Sequence, residues 1–228
     1  MRVCWLAQSA RGVPQCDDWL SPAECETLAR LRIPKRRADW RLGRWTAKLA
    51  IATRLGISGA CGALSQIEVR AAESGAPRAF FGGKHTELAI SLSHSHDVGF
   101  CALADDGVAL GCDIEWIEPR SPAFLADYFT PGEQDFLQTQ EPRRDELATL
   151  LWSAKESVLK AQSCGLRADP RSVEAQLLGR LTRAADWSPL TACSPGAKFT
   201  GWWRTTGAFV WTVVALPASD EPPQALRS

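Results

Sequence analysis

The sequence reads as a mixed chain of helices and antiparallel strands, 228 residues long. Three observations lead there. Ser21-Pro22-Ala23-Glu24 and Thr130-Pro131-Gly132-Glu133 each place an N-cap, a Pro at the first helical position and a Glu at the third, the pattern of a capping box. Residues 35–55 space Trp40, Leu42, Trp45, Leu49 and Ala52 at helical intervals. Between residues 88 and 117, three alternating apolar runs are separated by Ser95–Asp97-type and Asp105-Asp106-Gly107 turns, which predicts antiparallel strands.

Taken in order, residues 3–7 predict a strand, and a short helix follows Ser21 as far as Leu31. On the 35–55 helix, Arg37, Arg41, Arg44 and Lys48 step by four, three and four, so they share a face, with Arg36 beside them. No acidic residue stands at i+4 to pair these cations. Arginine forks suit phosphate oxygens, so the stripe is either a solvated face or a phosphate-binding one. Ser74-Gly75-Ala76-Pro77 is a turn. In the strand over residues 108–117, Gly111, Asp113 and Glu115 point to one side and Leu110, Cys112, Ile114 and Trp116 to the other. Carboxylates at i and i+2 lie roughly 6.5–7 Å apart along a strand, close enough to share one cation. A helix through Gln138 follows Thr130, and another covers residues 147–162. A hairpin then turns at Thr205-Thr206-Gly207, and the Pro-rich residues 217–228 read as a frayed tail.

Composition limits the function. Hydrophobic residues make up 45% and charged residues 23%, ordinary for a globular protein. The formal net charge is zero, which gives no bulk attraction to nucleic acid or anionic membrane. No apolar run approaches the roughly 20 residues that span a bilayer, and the N-terminus reads as a first strand rather than a signal peptide. The eight cysteines are scattered, with no CxxC pair, and read as small buried hydrophobes in a reducing cytoplasm rather than as disulfides or a zinc site.

The helix over residues 150–161, LLWSAKESVLKA, carries the second half of the chemistry. Glu156 and Lys160 are i and i+4 and face together, one turn beyond Trp152 and Lys155. As an isolated pair they would be a surface ion pair of small value. Together with Asp113 and Glu115 they make three carboxylates and one lysine. Hard oxygen donors suit Mg²⁺, which commonly works with phosphate substrates.

GCDIE followed by WSAKESVLK resembles the paired signature of the Sfp-type 4′-phosphopantetheinyl transferase superfamily. That signature is broadly (I/V)-G-(I/V)-D-x-E, then (F/W)-x-x-K-E-(A/S)-x-x-K. The resemblance extends through KRRADWRLGRWTAK, residues 74–80, residues 91–94 and WWRTTGAFVWTVVA. It implies an α+β fold of two similar α/β halves, a pseudo-dimeric arrangement with the active site between them. The halves would be residues 1–105, carrying the basic helix and the Ser93-His94 turn, and residues 106–228, carrying the carboxylates and the WSAKESVLK helix. One chain would then suffice as a monomer.

The implied activity is transfer of 4′-phosphopantetheine from coenzyme A to a serine of an acyl or peptidyl carrier protein, with release of adenosine 3′,5′-bisphosphate. By this resemblance Asp113, Glu115 and Glu156 hold Mg²⁺ on the pyrophosphate. Lys160 contacts phosphate near the reacting centre, and Glu156 helps deprotonate the serine, directly or through water. Arg36, Arg44, Lys48, Gly75, Pro77, Arg78, Ser93, His94 and Lys155 are the expected coenzyme A contacts, and Trp152 packs the helix. Ala76 departs from the family's usual Lys, and Arg78 is a candidate substitute. Cys112 replaces an aliphatic residue. Two other classes share some of these features: a metal-dependent nuclease and a non-catalytic coenzyme A or carrier-protein binding module. The zero net charge weighs against the first, and the complete set of carboxylates against the second.

Overall fold

The computed structural model describes residues 1–178 and 186–227. The fold is mixed α+β. Contacts divide it into two units: Arg2–Gly107 with Gln224–Ser228, and Val108–Pro223 with Met1.

The first unit contains β1 (Cys4–Ser9), α1 (Pro22–Arg30), α2 (Pro34–Leu55), α3 (Cys61–Leu64), β2 (Ile67–Ala71), β3 (Pro77–Phe81), β4 (Lys84–His85), β5 (Leu88–Ser95) and β6 (Val98–Asp105). Strands β1, β6 and β5 form an antiparallel sheet, and β2, β3 and β4 a smaller one. The β5–β6 turn puts His96 and Asp97 at φ 44° and 61°, the two positive angles of a tight hairpin loop. Helix α2 packs on β6 at Gly99, where a Cβ would come within 2.4 Å of Thr46 Oγ1.

The second unit contains β7 (Ala109–Trp116), α4 (Pro122–Tyr128), α5 (Pro131–Gln138), α6 (Arg144–Ala161), β8 (Glu174–Leu177), β9 (Ser188–Ser194), β10 (Ala197–Thr206) and β11 (Phe209–Leu216). Its sheet runs β7-β11-β10-β9-β8, antiparallel throughout. One sheet face is covered by α6, and Leu150, Val158, Phe199, Trp203, Val210 and Val214 share the core between them. Trp152 is buried and packs edge-on against Phe124 at 5.2 Å and at a tilt against Tyr128 at 4.9 Å, the anchoring role expected of it.

Both capping boxes form, and each does a second job. Glu24 accepts from the Ser21 amide at 3.1 Å, and Glu133 from the Thr130 amide at 2.9 Å. Each glutamate also accepts a strand amide: Val69 at 3.1 Å for Glu24, Ala175 at 3.2 Å for Glu133. Each then pairs with a fully buried lysine of the unit's long helix, Lys48 for Glu24 and Lys155 for Glu133. Backbone carbonyls take the remaining ammonium protons, from Trp19 and Leu64 around Lys48 and from Pro170 and Val173 around Lys155. A buried ion pair is tolerable only when its protons and lone pairs are satisfied in this way.

Several expectations are corrected. The C-terminal tail is not wholly frayed: β12 (Gln224–Ala225) pairs in parallel with β1, Gln224 opposite Cys4. Helix α4 was not anticipated, because Ser121-Pro122 lacks the Glu three residues on that marks the other two starts; Ser121 still caps it through the Phe124 amide at 3.1 Å. The cysteines are all free, as expected, but only Cys4, Cys101 and Cys112 are buried. No helix among the described residues is long and apolar enough to cross a membrane.

Candidate metal centre

Strand alternation puts Gly111, Asp113 and Glu115 on the α6 side of β7, as the sequence pattern requires. Gly111 decides how close the helix comes. A Cβ there would lie 1.7 Å from the Ser157 carbonyl oxygen and 2.9 Å from the Ala161 nitrogen, so only a bare α-carbon admits the α6 backbone. Thr212 on β11, the register partner of Asp113, meets the same helix face. Its hydroxyl lies 2.8 Å from those of both Ser153 and Ser157, and all three residues are fully buried. Small residues and a closed set of hydroxyl contacts thus seat α6 on the sheet, in line with the two carboxylates of β7.

That seat brings Glu156 to Asp113 and Glu115. One ligand oxygen from each of the three lies within 4.8 Å of the others. Asp113 is buried, whereas the Glu115 and Glu156 side chains remain 25% and 20% exposed. Lys160 reaches across: Nζ donates to Asp113 Oδ1 at 2.6 Å and to the Cys112 carbonyl at 3.3 Å, and stands 3.6 Å from Glu156 Oε2. Burial opposes charge on this lysine, but Asp113 and then Glu156 hold its ammonium above the ordinary lysine range.

Three acids against Lys160, with an Arg120 guanidinium that Glu118 also engages, leave the cluster short of positive charge. Burial, then repulsion from Asp113 and Glu156, pushes Glu115 from 4.5 up to about 7. Burial and Asp113 raise Glu156 to about 7 as well, against the pull of Lys160. The donor set is all oxygen, anionic and convergent, and its charge deficit is what a small divalent cation would fill, so the residues fit Mg²⁺.

A pH dependence follows. Between pH 4.5 and about 7 the folded metal-free protein holds protons that the unfolded chain has released, so its stability falls as pH rises across that window and levels off above it. A divalent cation competes with those same protons. The rise in thermal midpoint on adding MgCl₂ should therefore be small near pH 6 and reach its plateau near pH 8. Melting curves with and without metal check this; a shift independent of pH would refute it.

The expected coenzyme A contacts fare unevenly. Lys155 and Lys48 were expected to face substrate. Both are instead enclosed in the Glu133 and Glu24 pairs, with no exposed surface. The position of Lys48 suggested a cationic face and the family resemblance gave Lys155 a phosphate contact, but the partners come from distant capping glutamates that helical spacing does not reveal. Lys155→Ala is accordingly expected to cost about 3–5 kcal/mol of stability by stranding Glu133 in the core. Denaturant melts would show this; an unchanged melt with a raised coenzyme A KM would restore the substrate role.

The basic stripe is also largely occupied, from outside its own helix. Arg44 stacks over Trp40 at 4.8 Å, with Nε 3.8 Å from Glu24. Arg41 binds Asp17 and the Pro14 carbonyl, and Arg37 donates to the Leu28 and Leu31 carbonyls. Arg36 remains exposed. Gly75 sits in the β2–β3 turn at φ 87°, with Pro77 and Arg78 opening β3 and Arg78 exposed. Ser93 is nearly buried near the end of β5, and the adjacent His94 is exposed, opposite Gly99 where α2 crosses.

Sequence reasoning did not single out Arg120, in the loop between β7 and α4. Its Nη2 stands 3.6 Å from Glu115 Oε2, its Nη1 3.0 Å from Glu118 Oε1, and its guanidinium lies over Phe124 at 4.8 Å. No spacing rule links a loop arginine to a strand carboxylate five residues back.

No curated protein matches the chain. A family model does, over residues 109–202: that of the 4′-phosphopantetheinyl transferase superfamily. The matched segment holds both halves of the acidic cluster, Asp113 and Glu115 on β7 and Glu156 with Lys160 on α6, as the sequence resemblance required. Over residues 109–202, then, this chain is similar to the 4′-phosphopantetheinyl transferase superfamily.

Proposed function

We propose that this protein is a Mg²⁺-dependent 4′-phosphopantetheinyl transferase, moving the phosphopantetheine arm of coenzyme A to a serine of an acyl or peptidyl carrier protein. The observation that carries this reading is the convergence of Asp113, Glu115 and Glu156 beside Lys160, within the segment that matches the superfamily. The three carboxylates would hold the metal, which when bound supplies Lewis-acid stabilisation of charge on the pyrophosphate.

The chain's own groups then have separable tasks. In the transfer, the serine Oγ–phosphorus bond forms, the bond from that phosphorus to the bridging oxygen breaks, and adenosine 3′,5′-bisphosphate leaves with the electron pair. The serine proton needs an acceptor. Glu156, beside Lys160 on α6, is the candidate, directly or through a water. Lys160 stays charged and donates toward phosphate oxygen from its place between Asp113 and Glu156. Arg36, Arg78, Ser93 and His94 of the first unit remain candidates for the nucleotide phosphates. A monomer acting in the cytoplasm is part of the same reading.

The test is intact-mass analysis of apo carrier proteins incubated with the protein, coenzyme A and Mg²⁺, with a chelator control. Fatty-acid, polyketide and peptide-synthetase carriers would be compared. A metal-dependent gain of one phosphopantetheine arm is the expected result. No gain on any carrier, from folded protein that binds coenzyme A, would replace the enzyme by a binding module.

A further inference from the structure

We propose that Arg120 is a phosphate-binding residue of this site, presenting the side-on edge of its guanidinium to an oxygen of the pyrophosphate beside the carboxylate cluster. The inference deepens the transferase reading and rests on it for the identity of the physiological ligand.

Arg120 has an uneven set of partners. Its Nη1 is taken by Glu118 at 3.0 Å. Its Nε and Nη2, which together form the side-on edge, are buried and have no hydrogen-bond acceptor among the described residues. Glu115 Oε2 stands 3.6 Å from Nη2, near enough for charge attraction but beyond a good hydrogen bond. The side chain is only 11% exposed, and Phe124 lies 4.8 Å under the guanidinium carbon, which restricts its swing. Leaving two guanidinium donors buried without acceptors is costly, and arginine meets that cost most often with a bidentate carboxylate or phosphate. Asp113, Glu115 and Glu156 already converge beside it, so a fourth protein carboxylate is not what the edge awaits. A tetrahedral phosphate beside the cluster would supply two oxygens at the right spacing and bring its own countercharge.

The alternative role is purely structural, with Arg120 neutralising Glu115. The two separate cleanly, because lysine keeps the charge and loses the fork. The experiment titrates the full-length protein, Arg120→Lys and Arg120→Gln with Mn²⁺ alone and then with inorganic pyrophosphate at saturating Mg²⁺, by calorimetry. Melting curves confirm that each variant is folded. If the proposal holds, both variants bind metal-pyrophosphate roughly tenfold to a hundredfold more weakly than wild type, the scale of lost charge-assisted hydrogen bonds, while Mn²⁺ affinity is retained. Wild-type pyrophosphate affinity in Arg120→Lys would overturn it. So would a parallel loss of Mn²⁺ affinity in both variants, which would make Arg120 a support for Glu115, or an absence of pyrophosphate binding by the wild type. Carrier modification is read separately. Arg120-dependent pyrophosphate binding in a protein that modifies no carrier would refute the transferase reading and leave the phosphate site standing.

Discussion

Asp113→Asn is expected to lower phosphopantetheine transfer by roughly a thousandfold, the loss of several kcal/mol of metal-borne charge stabilisation, while the metal-free protein stays at least as stable as wild type. The two halves of this prediction have different causes. Asp113 is the buried member of the cluster and the acid that most strongly repels Glu156. Removing its charge takes away a ligand, and also relieves the repulsion that, after burial, raises Glu115 and Glu156. Against that relief stands the loss of charge from the 2.6 Å contact with Lys160, which keeps Glu156 at 3.6 Å as a second partner. Destabilised ground states of this kind are common where function needs like charges together. Intact-mass rates and metal-free melts check the two halves, and the Mg²⁺-induced rise in melting temperature should vanish with the transfer. Unchanged transfer in Asp113→Asn would sink the metal assignment.

Gly111→Ala should damage the second unit by at least about 3 kcal/mol, the upper end of ordinary overpacking, because the atoms in the way are backbone and cannot rotate aside. The added methyl would meet the Ser157 carbonyl at 1.7 Å, so α6 must lift from β7. That is a large share of the roughly 5–15 kcal/mol that holds a typical domain together. Lifting the helix also carries Glu156 away from Asp113 and separates Ser153 and Ser157 from Thr212. Protein that remains folded should therefore bind Mn²⁺ poorly even at pH 8. Denaturant melts read the first effect and calorimetry the second. An alanine variant with a wild-type melt would mean that α6 does not lie against β7 as closely as the Gly111 contact requires.

The acidic cluster was open to sequence reasoning because its parts obey local periodicities. A two-residue period puts Asp113 and Glu115 on one strand face, and a four-residue step puts Glu156 with Lys160 on one helix face. Both capping boxes were readable for the same reason, since a cap closes within four residues. The glycine of GCDIE was visible too, but its purpose was not. The close approach of α6 exists only once helix and strand are packed.

Where local pattern misled, charge partners came from far along the chain. Lys48 stood on a helix face that looked cationic and Lys155 was assigned to phosphate by resemblance, while their helices say nothing of Glu24 or Glu133. Arg41 likewise finds Asp17 only through the fold, and Arg120 finds Glu115 only because a loop folds back on its own strand. Residue order was therefore enough for most of the elements, the two capping boxes and the acids that share a strand or helix face, all set by steric and hydrogen-bonding rules that act over a few residues. Packing alone decided which cations are buried as structural ions and which face the carboxylates. Desolvation and Coulomb attraction depend on distances through space, and neighbouring positions in the chain do not set those distances.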